Sequence, residues 1–309
     1  MGIRRIAGRT VCGGCAAAGE NAMRMFRTSA AEVLWRSGPT GPEWEALLAS
    51  LRQHQVPITD ALQQIRRETG SFLERYVVFA MADDVVTPEE LATFRDFAER
   101  LQVPEEIAGP LRERMERHAA LQSIREGNLP TRRPAELRLD IGELCHLDMH
   151  AAYQREVRGT VEQMPGRIVV TDKKFRFLGH DTGWELGWSK IFNVAARRGE
   201  FVHVQASQKR GSGLYATHDP EYASVLIDTV IRINRREILT PRGQRDTRAV
   251  PQHVKTQVWQ RDGGACVECG ATSYLEFDHV IPLSRGGATS VQNLQILCRA
   301  CNLRKADRL

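Results

Sequence analysis

Apolar residues between Glu43 and Leu121 recur at three- and four-residue spacing, with Phe72, Tyr76, Phe79 and Ala80 on one helical face. The segment Thr87-Pro88-Glu89-Glu90 predicts a helix start: Thr87 caps, Pro88 suits the first helical position and Glu90 closes a capping box. From there Leu91, Phe94, Phe97, Ala98 and Leu101 form the stripe to be buried, and Pro104 ends or restarts the pattern. An all-helical unit is therefore expected over 43–121. Asp83 and Asp84, just ahead of the cap, lack the alternating oxygen ligands and closing glutamate of a calcium loop, so they read as a capped helix connection.

Gly127, Pro130 and Pro134 mark 122–136 as a linker, and beyond it the period changes. Gly166–Thr171 and Phe175–Phe177 read as two strands about the turn Asp172-Lys173-Lys174. Further short strands are expected at Trp184–Trp188, Ile191–Ala195, Phe201–Gln205 and Gly213–Thr217. Helical spacing then returns at Tyr222, Val225, Leu226, Thr229, Val230 and Ile233. The result is a strand-rich unit closed by one helix over 137–233, followed by a basic linker at 234–249.

Length and composition narrow the class. At 309 residues the chain exceeds the size at which one hydrophobic core keeps growing, so two or three domains are expected. Hydrophobic residues at 42% and charged residues at 26% are proportions of a soluble globular protein, which excludes collagenous, coiled-coil and wholly disordered chains. The longest apolar stretch, Tyr76–Ala82, is far short of the roughly twenty residues of a transmembrane helix. Residues 1–42 carry several arginines and few acids without a signal peptide's apolar core, so they read as a cytoplasmic leader or mobile extension.

The formal charge is +5, yet Arg232, Arg235, Arg236, Arg242, Arg245 and Arg248 meet only Glu237 and Asp246 between 232 and 248. A polyanion partner accounts for that bias, and so does a solvated linker.

Four of the 7 cysteines fall in two tight pairs, Cys266-x2-Cys269 and Cys298-x2-Cys301, with 28 residues between them. Two such knuckles suit tetrahedral coordination of zinc by four thiolates in a reducing compartment. A closed site of this kind leaves no position for substrate, so the zinc is structural. Cys12-Gly13-Gly14-Cys15 is a pair without a partner nearby, and Cys145, His146 and His150 complete a second metal site only if the N-terminus folds back. His203 and His218 have no neighbouring acid and read as ordinary residues.

Between the knuckles, Leu275-Glu276-Phe277-Asp278-His279-Val280-Ile281-Pro282-Leu283 reads as a strand ending in an adjacent carboxylate and imidazole. Gly286-Gly287, Asn293-Leu294-Gln295-Ile296-Leu297 and a helix carrying Asn302-Leu303-Arg304-Lys305 follow. Asp-His, a central Asn and a final Asn-x-x-Lys beside two CxxC pairs resemble the HNH nuclease family over about 250–309, and Arg261-Asp262-Gly263-Gly264 agrees.

That resemblance implies a β-hairpin and helix gripping one divalent ion, with Asp278 and Asn302 as its ligands and His279 as general base. Asn293 would bond across the loop and orient His279. Arg261, Arg285, Arg299 and Lys305 are candidate phosphate contacts. An asparagine at 302, where many members have histidine, favours magnesium or manganese because its ligand atom is an amide oxygen.

Two further segments resemble known domains. Ala82-Asp83-Asp84 through Leu101 is similar to the motif of TerB-like helical domains. Thr171-Asp172-Lys173-Lys174-Phe175-Arg176-Phe177, with its strands and closing helix, resembles a bacterial PH/GRAM-like domain, which implies a lipid, peptide or protein ligand. The whole is expected to be an α+β multidomain chain. It has an N-terminal helical bundle, a central PH-like β-barrel or sandwich with a C-terminal helix, and a C-terminal ββα-metal HNH module with structural zinc.

The activity implied is that of a cytoplasmic metal-dependent endonuclease hydrolysing DNA, double-stranded DNA foremost, whose upstream domains sense or dock in defence against foreign DNA. A non-catalytic zinc-containing adaptor that binds nucleic acid and a nuclease acting on RNA are the alternatives.

Overall fold

The computed structural model describes residues 3–6, 9–135, 137–157, 160–237, 250–282 and 287–306. It divides into two compact units, one made of residues 1–118 together with 248–309, the other of residues 119–247. The first unit is thus assembled from two separate stretches of chain.

In the first unit a short hairpin, β1 (Ile3–Ile6) and β2 (Arg9–Cys12), leads into α1 (Gly13–Ser37). This helix lies where the sequence reading places a leader. Its Ala22, Phe26, Ala30 and Leu34 recur every fourth residue and are all buried, so one narrow stripe docks against Trp44, Leu48 and Leu51 of α2 (Pro42–Gln53). The Phe26 and Trp44 rings lie 5.6 Å apart. Two of the four stripe residues are alanines, and that small apolar signal is what hides the helix in a segment rich in Gly, Ala and Arg. Gly38, at φ +67°, ends the helix in a conformation that suits glycine, its N–H bonding to the Leu34 carbonyl.

Next come α3 (Ile58–Gln64), α4 (Arg66–Ala80) and α5 (Pro88–Arg100), with α6 (Glu105–Arg125) beginning in this unit. The expected capping box is present: Thr87 Oγ1 accepts the Glu90 N–H at 3.2 Å, and Glu90 Oε2 accepts the Thr87 N–H at 2.9 Å. The stripe on α4 splits between two cores. Phe72 packs with α1 and α2, whereas Tyr76 and Phe79 pack with the C-terminal stretch.

That stretch holds α8 (Gln252–Arg261), the antiparallel strands β10 (Leu275–His279) and β11 (Leu294–Cys298), and α9 (Arg299–Ala306). Phe277 pairs with Ile296 and His279 with Leu294. Val250, Val254, Val258, Leu275, Phe277, Leu294, Ile296 and Leu297 share one buried cluster with Phe79 and Ala82.

The second unit is a seven-stranded antiparallel sheet ordered β6-β5-β4-β3-β9-β8-β7, built from β3 (Cys145–Val157), β4 (Thr160–Thr171), β5 (Lys174–Gly179), β6 (Gly183–Gly187), β7 (Ile191–Arg197), β8 (Phe201–Ala206) and β9 (Gly213–Thr217). Helix α7 (Pro220–Asn234) buries Ala223, Leu226, Ile227, Val230 and Ile231 against Trp188, Ile191, Val202 and Tyr215. Each strand expected from the sequence forms. β3 is additional: its buried positions Cys145, Leu147, Met149 and Ala151 alternate with polar residues. The buried Arg176 guanidinium lies 2.8 Å from Glu143, whose other contacts are Thr171 and the Asp140 N–H. Among the described residues no helix is long and apolar enough to cross a membrane.

Candidate functional site

The cysteine cluster is preassembled. Cys266 and Cys269 follow α8, Cys298 ends β11 and Cys301 sits in the first turn of α9. Their four Sγ atoms all lie within 4.8 Å of one another, Cys269 and Cys298 being 3.6 Å apart. Zinc–thiolate bonds of about 2.3 Å in a tetrahedron put sulfurs about 3.8 Å apart, so the donor set and its spacing fit zinc.

The first knuckle is formed by the Gly270 N–H bonding to the Cys266 carbonyl and the Cys266 N–H to Ala271, with Gly270 at φ +74°. Burial pushes the Cys266 thiol up, but N–H groups of Cys298, Cys269 and Glu268 outweigh it and bring the pKa down to about 6. Arg304 donates to Cys301 Sγ at 2.9 Å, which places a cation beside the four sulfurs. Among the described residues this is the one group of three or more His, Cys, Asp or Glu side chains gathered closely enough to hold a metal.

Cys12 and Cys15 lie at the start of α1 with their sulfurs 3.2 Å apart and exposed. Cys145 is buried and donates to the Leu147 carbonyl, and His146 Nδ1 bonds the carbonyl of Pro130, in the segment ahead of β3.

The second site lies on the hairpin. Leu275 and Phe277 of β10 are buried in the core, and strand alternation puts Glu276 and Asp278 on the opposite face. Helix α9 brings Asn302 and Lys305, three residues apart and so on one helical face, to those carboxylates. Asn302 Nδ2 donates to Glu276 Oε2 at 2.7 Å, and Lys305 Nζ donates to Asp278 Oδ2 and to the His279 carbonyl, each at 2.6 Å. From β11, Gln295 Nε2 donates to the same Asp278 oxygen at 2.9 Å. Glu276 and Asp278, with the amide oxygen of Asn302, are hard donors of the kind magnesium or manganese takes.

His279 Nε2 lies 3.0 Å from Thr289 Oγ1. Partial burial, with Lys305 nearby, holds the imidazole below its ordinary pKa against the opposing pull of Asp278, so the ring is neutral at neutral pH.

Asn293 ties the two ends of the intervening loop together. Its Oδ1 accepts the Ile281 N–H at 2.8 Å, and its Nδ2 donates to the carbonyls of Ile281 at 3.0 Å and Ala288 at 2.9 Å. These bonds fix the backbone on both sides of the loop, and the contact to the His279 ring comes from Thr289. Gly287 belongs to the same device, since a Cβ there would run into the Ile281 carbonyl and the Asn293 amide.

The candidate phosphate contacts separate. Arg261 is a strut: its guanidinium donates to the carbonyls of Val291 at 2.6 Å and Leu294 at 2.7 Å and pairs with Asp262, which accepts the Ile296 N–H. Lys305 is committed to Asp278. Arg299 is exposed at the start of α9. Arg285 lies outside the described residues.

Glu276, Thr289, Gln295 and Arg304 were missed from the sequence. Glu276 alone carried a signal, two positions from Asp278 in an alternating strand; the others are recognisable only once the hairpin and helix are assembled.

Residues 266–308 match the family model of the HNH endonuclease. The chain is also similar to the type IV methyl-directed restriction enzyme EcoKMcrA of Escherichia coli (strain K12), 40% identical over 58 residues, which is 16% of this chain and 21% of that enzyme. The chain therefore spans about a fifth of the curated relative it matches. Within those bounds the sequence match and the hairpin-and-helix core agree, and the C-terminal segment of this chain is similar to an HNH endonuclease domain over residues 266–308.

Proposed function

We propose that the protein is a metal-dependent endonuclease that hydrolyses phosphodiester bonds of double-stranded DNA. The observation that carries this reading is the convergence of Glu276, Asp278, Asn302 and Lys305 on one face of the hairpin, beside His279, whose backbone carbonyl Lys305 also binds. The relative's being a restriction enzyme supports DNA over RNA.

Asp278 and Asn302 would hold a magnesium or manganese ion, which would supply charge neutralisation at the phosphate and the leaving 3′ oxygen. His279 is the general base. In the tautomer with the proton on Nε2, donated to Thr289 Oγ1 3.0 Å away, the Nδ1 lone pair would take a proton from the attacking water, a role worth about a hundred- to ten-thousand-fold. Lys305 orients Asp278, and Arg299 and Arg285 bind flanking phosphates. The four cysteines hold structural zinc and take no part in the reaction.

The helical segment 43–121 and the sheet unit 137–233 are TerB-like and PH/GRAM-like modules that dock or sense, the latter through a lipid or protein ligand, in cytoplasmic defence against foreign DNA.

Supercoiled plasmid incubated with the full chain and magnesium tests the reading. Nicking is expected, abolished by chelation and reduced at least a hundredfold in His279→Ala. Equal nicking by wild type and His279→Ala would refute catalysis at this site, and binding without cleavage would leave the adaptor alternative standing.

A further inference from the structure

The α4–α5 connection and α8 meet through a cluster of charges that the reaction does not use. Lys255 is 1% exposed, and its Nζ lies 2.8 Å from Asp83 Oδ1 and 2.8 Å from Glu90 Oε1. Each carboxylate oxygen is occupied. Asp83 Oδ1 also accepts the Val85 N–H and Oδ2 the Val250 N–H, while Glu90 Oε2 serves the capping box on Thr87. A lysine ammonium buried this deeply is tolerated only with such partners, so the two acids form a socket shaped for it.

Beside the socket, the Ala82 carbonyl accepts the Phe277 N–H at 2.6 Å. Phe277 stands in β10 between Glu276 and Asp278, two residues before His279. Phe79 closes the contact edge-on, its ring 5.3 Å from Trp259 and 6.4 Å from Phe277. Three kinds of bond therefore converge on β10 and α8 from residues 76–90: an ion-pair socket, a main-chain hydrogen bond and an aromatic cluster.

We propose that residues 76–90 are a working part of the nuclease, a strap that fixes the strand carrying Asp278 and His279, with Asp83, Glu90 and Lys255 as positioning residues. The proposal rests on the nuclease reading of that strand. It assigns Asp83, just ahead of α5, and Glu90, in its first turn, to a lysine of the C-terminal stretch. The strap's ion pairs and main-chain hydrogen bonds go to Lys255, Val250 and Phe277, not to the four cysteine sulfurs or Arg299, so loosening it should alter the geometry of the reacting groups while zinc and duplex binding persist.

The test uses the full chain, as wild type, Lys255→Met and the milder Asp83→Asn. Three quantities are read: amide hydrogen exchange over Leu275–His279, zinc per chain, and cleavage of a defined duplex resolved into kcat and KM. In Lys255→Met, exchange over Leu275–His279 is expected to quicken at least tenfold and kcat to fall at least tenfold. KM should stay within twofold and zinc at the wild-type content. Asp83→Asn should move the same quantities in the same direction by less, and it decides the matter if Lys255→Met does not fold.

Exchange over Leu275–His279 left at the wild-type rate in a folded variant overturns the strap, as does an equal rise in KM with no change in kcat. A wild-type chain that cuts no duplex sinks the nuclease reading instead, and the exchange data still report whether the strap holds β10.

Discussion

Asn293 offers the sharpest test of how the loop serves His279, the proposed general base. Replacing it with alanine removes three hydrogen bonds at once, one accepted from the Ile281 N–H and two donated to the carbonyls of Ile281 and Ala288. A net hydrogen bond is worth about 0.5–1.5 kcal/mol, and these are exposed enough for water to replace them in part. The low end applies, giving about 1.5 kcal/mol for the set. If that energy holds the loop, and with it Thr289, in the geometry the reaction needs, the rate falls about tenfold.

Asn293→Asp should do no better than alanine, because it keeps one acceptor but turns an anionic oxygen toward two carbonyls. Single-turnover nicking of plasmid, with zinc content and circular dichroism as controls, measures the effect. A folded, zinc-replete Asn293→Ala cutting within twofold of wild type would refute the loop-tie argument.

Removing the metal from the cysteine cluster, by chelation or by Cys298→Ser, should cost on the order of 10 kcal/mol and unfold the hairpin and α9. Trp259 fluorescence reports this, because the ring packs against Phe79 and Phe277; an unchanged spectrum after verified zinc loss would contradict it. In the second unit, burial alone would raise Glu143, but Arg176, Thr171 and the Asp140 N–H bring it down from 4.5 to about 2. A carboxyl depressed on folding stabilises fully above its unfolded pKa, and that contribution is lost as pH falls toward its folded pKa. The wild type should therefore exceed Glu143→Gln by about 3 kcal/mol at neutral pH, a gap that narrows below about pH 4.5 and closes near 2. Urea unfolding of both proteins across that range checks it, and a constant gap would be inconsistent with the buried ion pair.

Much of the site was legible because its parts are local in sequence. The CxxC spacings, Asp278 beside His279, and Asn302 three residues from Lys305 state their chemistry within a few positions. Strands β4–β9 were equally readable from alternation and their turns. β3 escaped because its inward face uses Cys145, Met149 and Ala151, weak strand formers, and its outward face carries His146, Asp148 and His150, which invite a reading as ligands. Arg261 looked like a phosphate contact because nothing local shows its two distant partners, the Val291 and Leu294 carbonyls. The Lys255–Glu90 pair was invisible for a plainer reason: its members lie 165 residues apart, and read alone one is a capping-box glutamate and the other an ordinary surface lysine.

The bond from the Phe277 N–H to the Ala82 carbonyl has a meaning for how the chain is made. Among the described residues β10 and β11 form a sheet of two strands, and the outer edge of such a sheet is an open template for pairing with another molecule. The segment that covers that edge is translated first. At about 5–20 residues per second the helices have on the order of ten seconds to fold before β10 leaves the ribosome. The cover thus precedes what it covers, and the newborn hairpin meets its own helices before it meets a neighbouring chain.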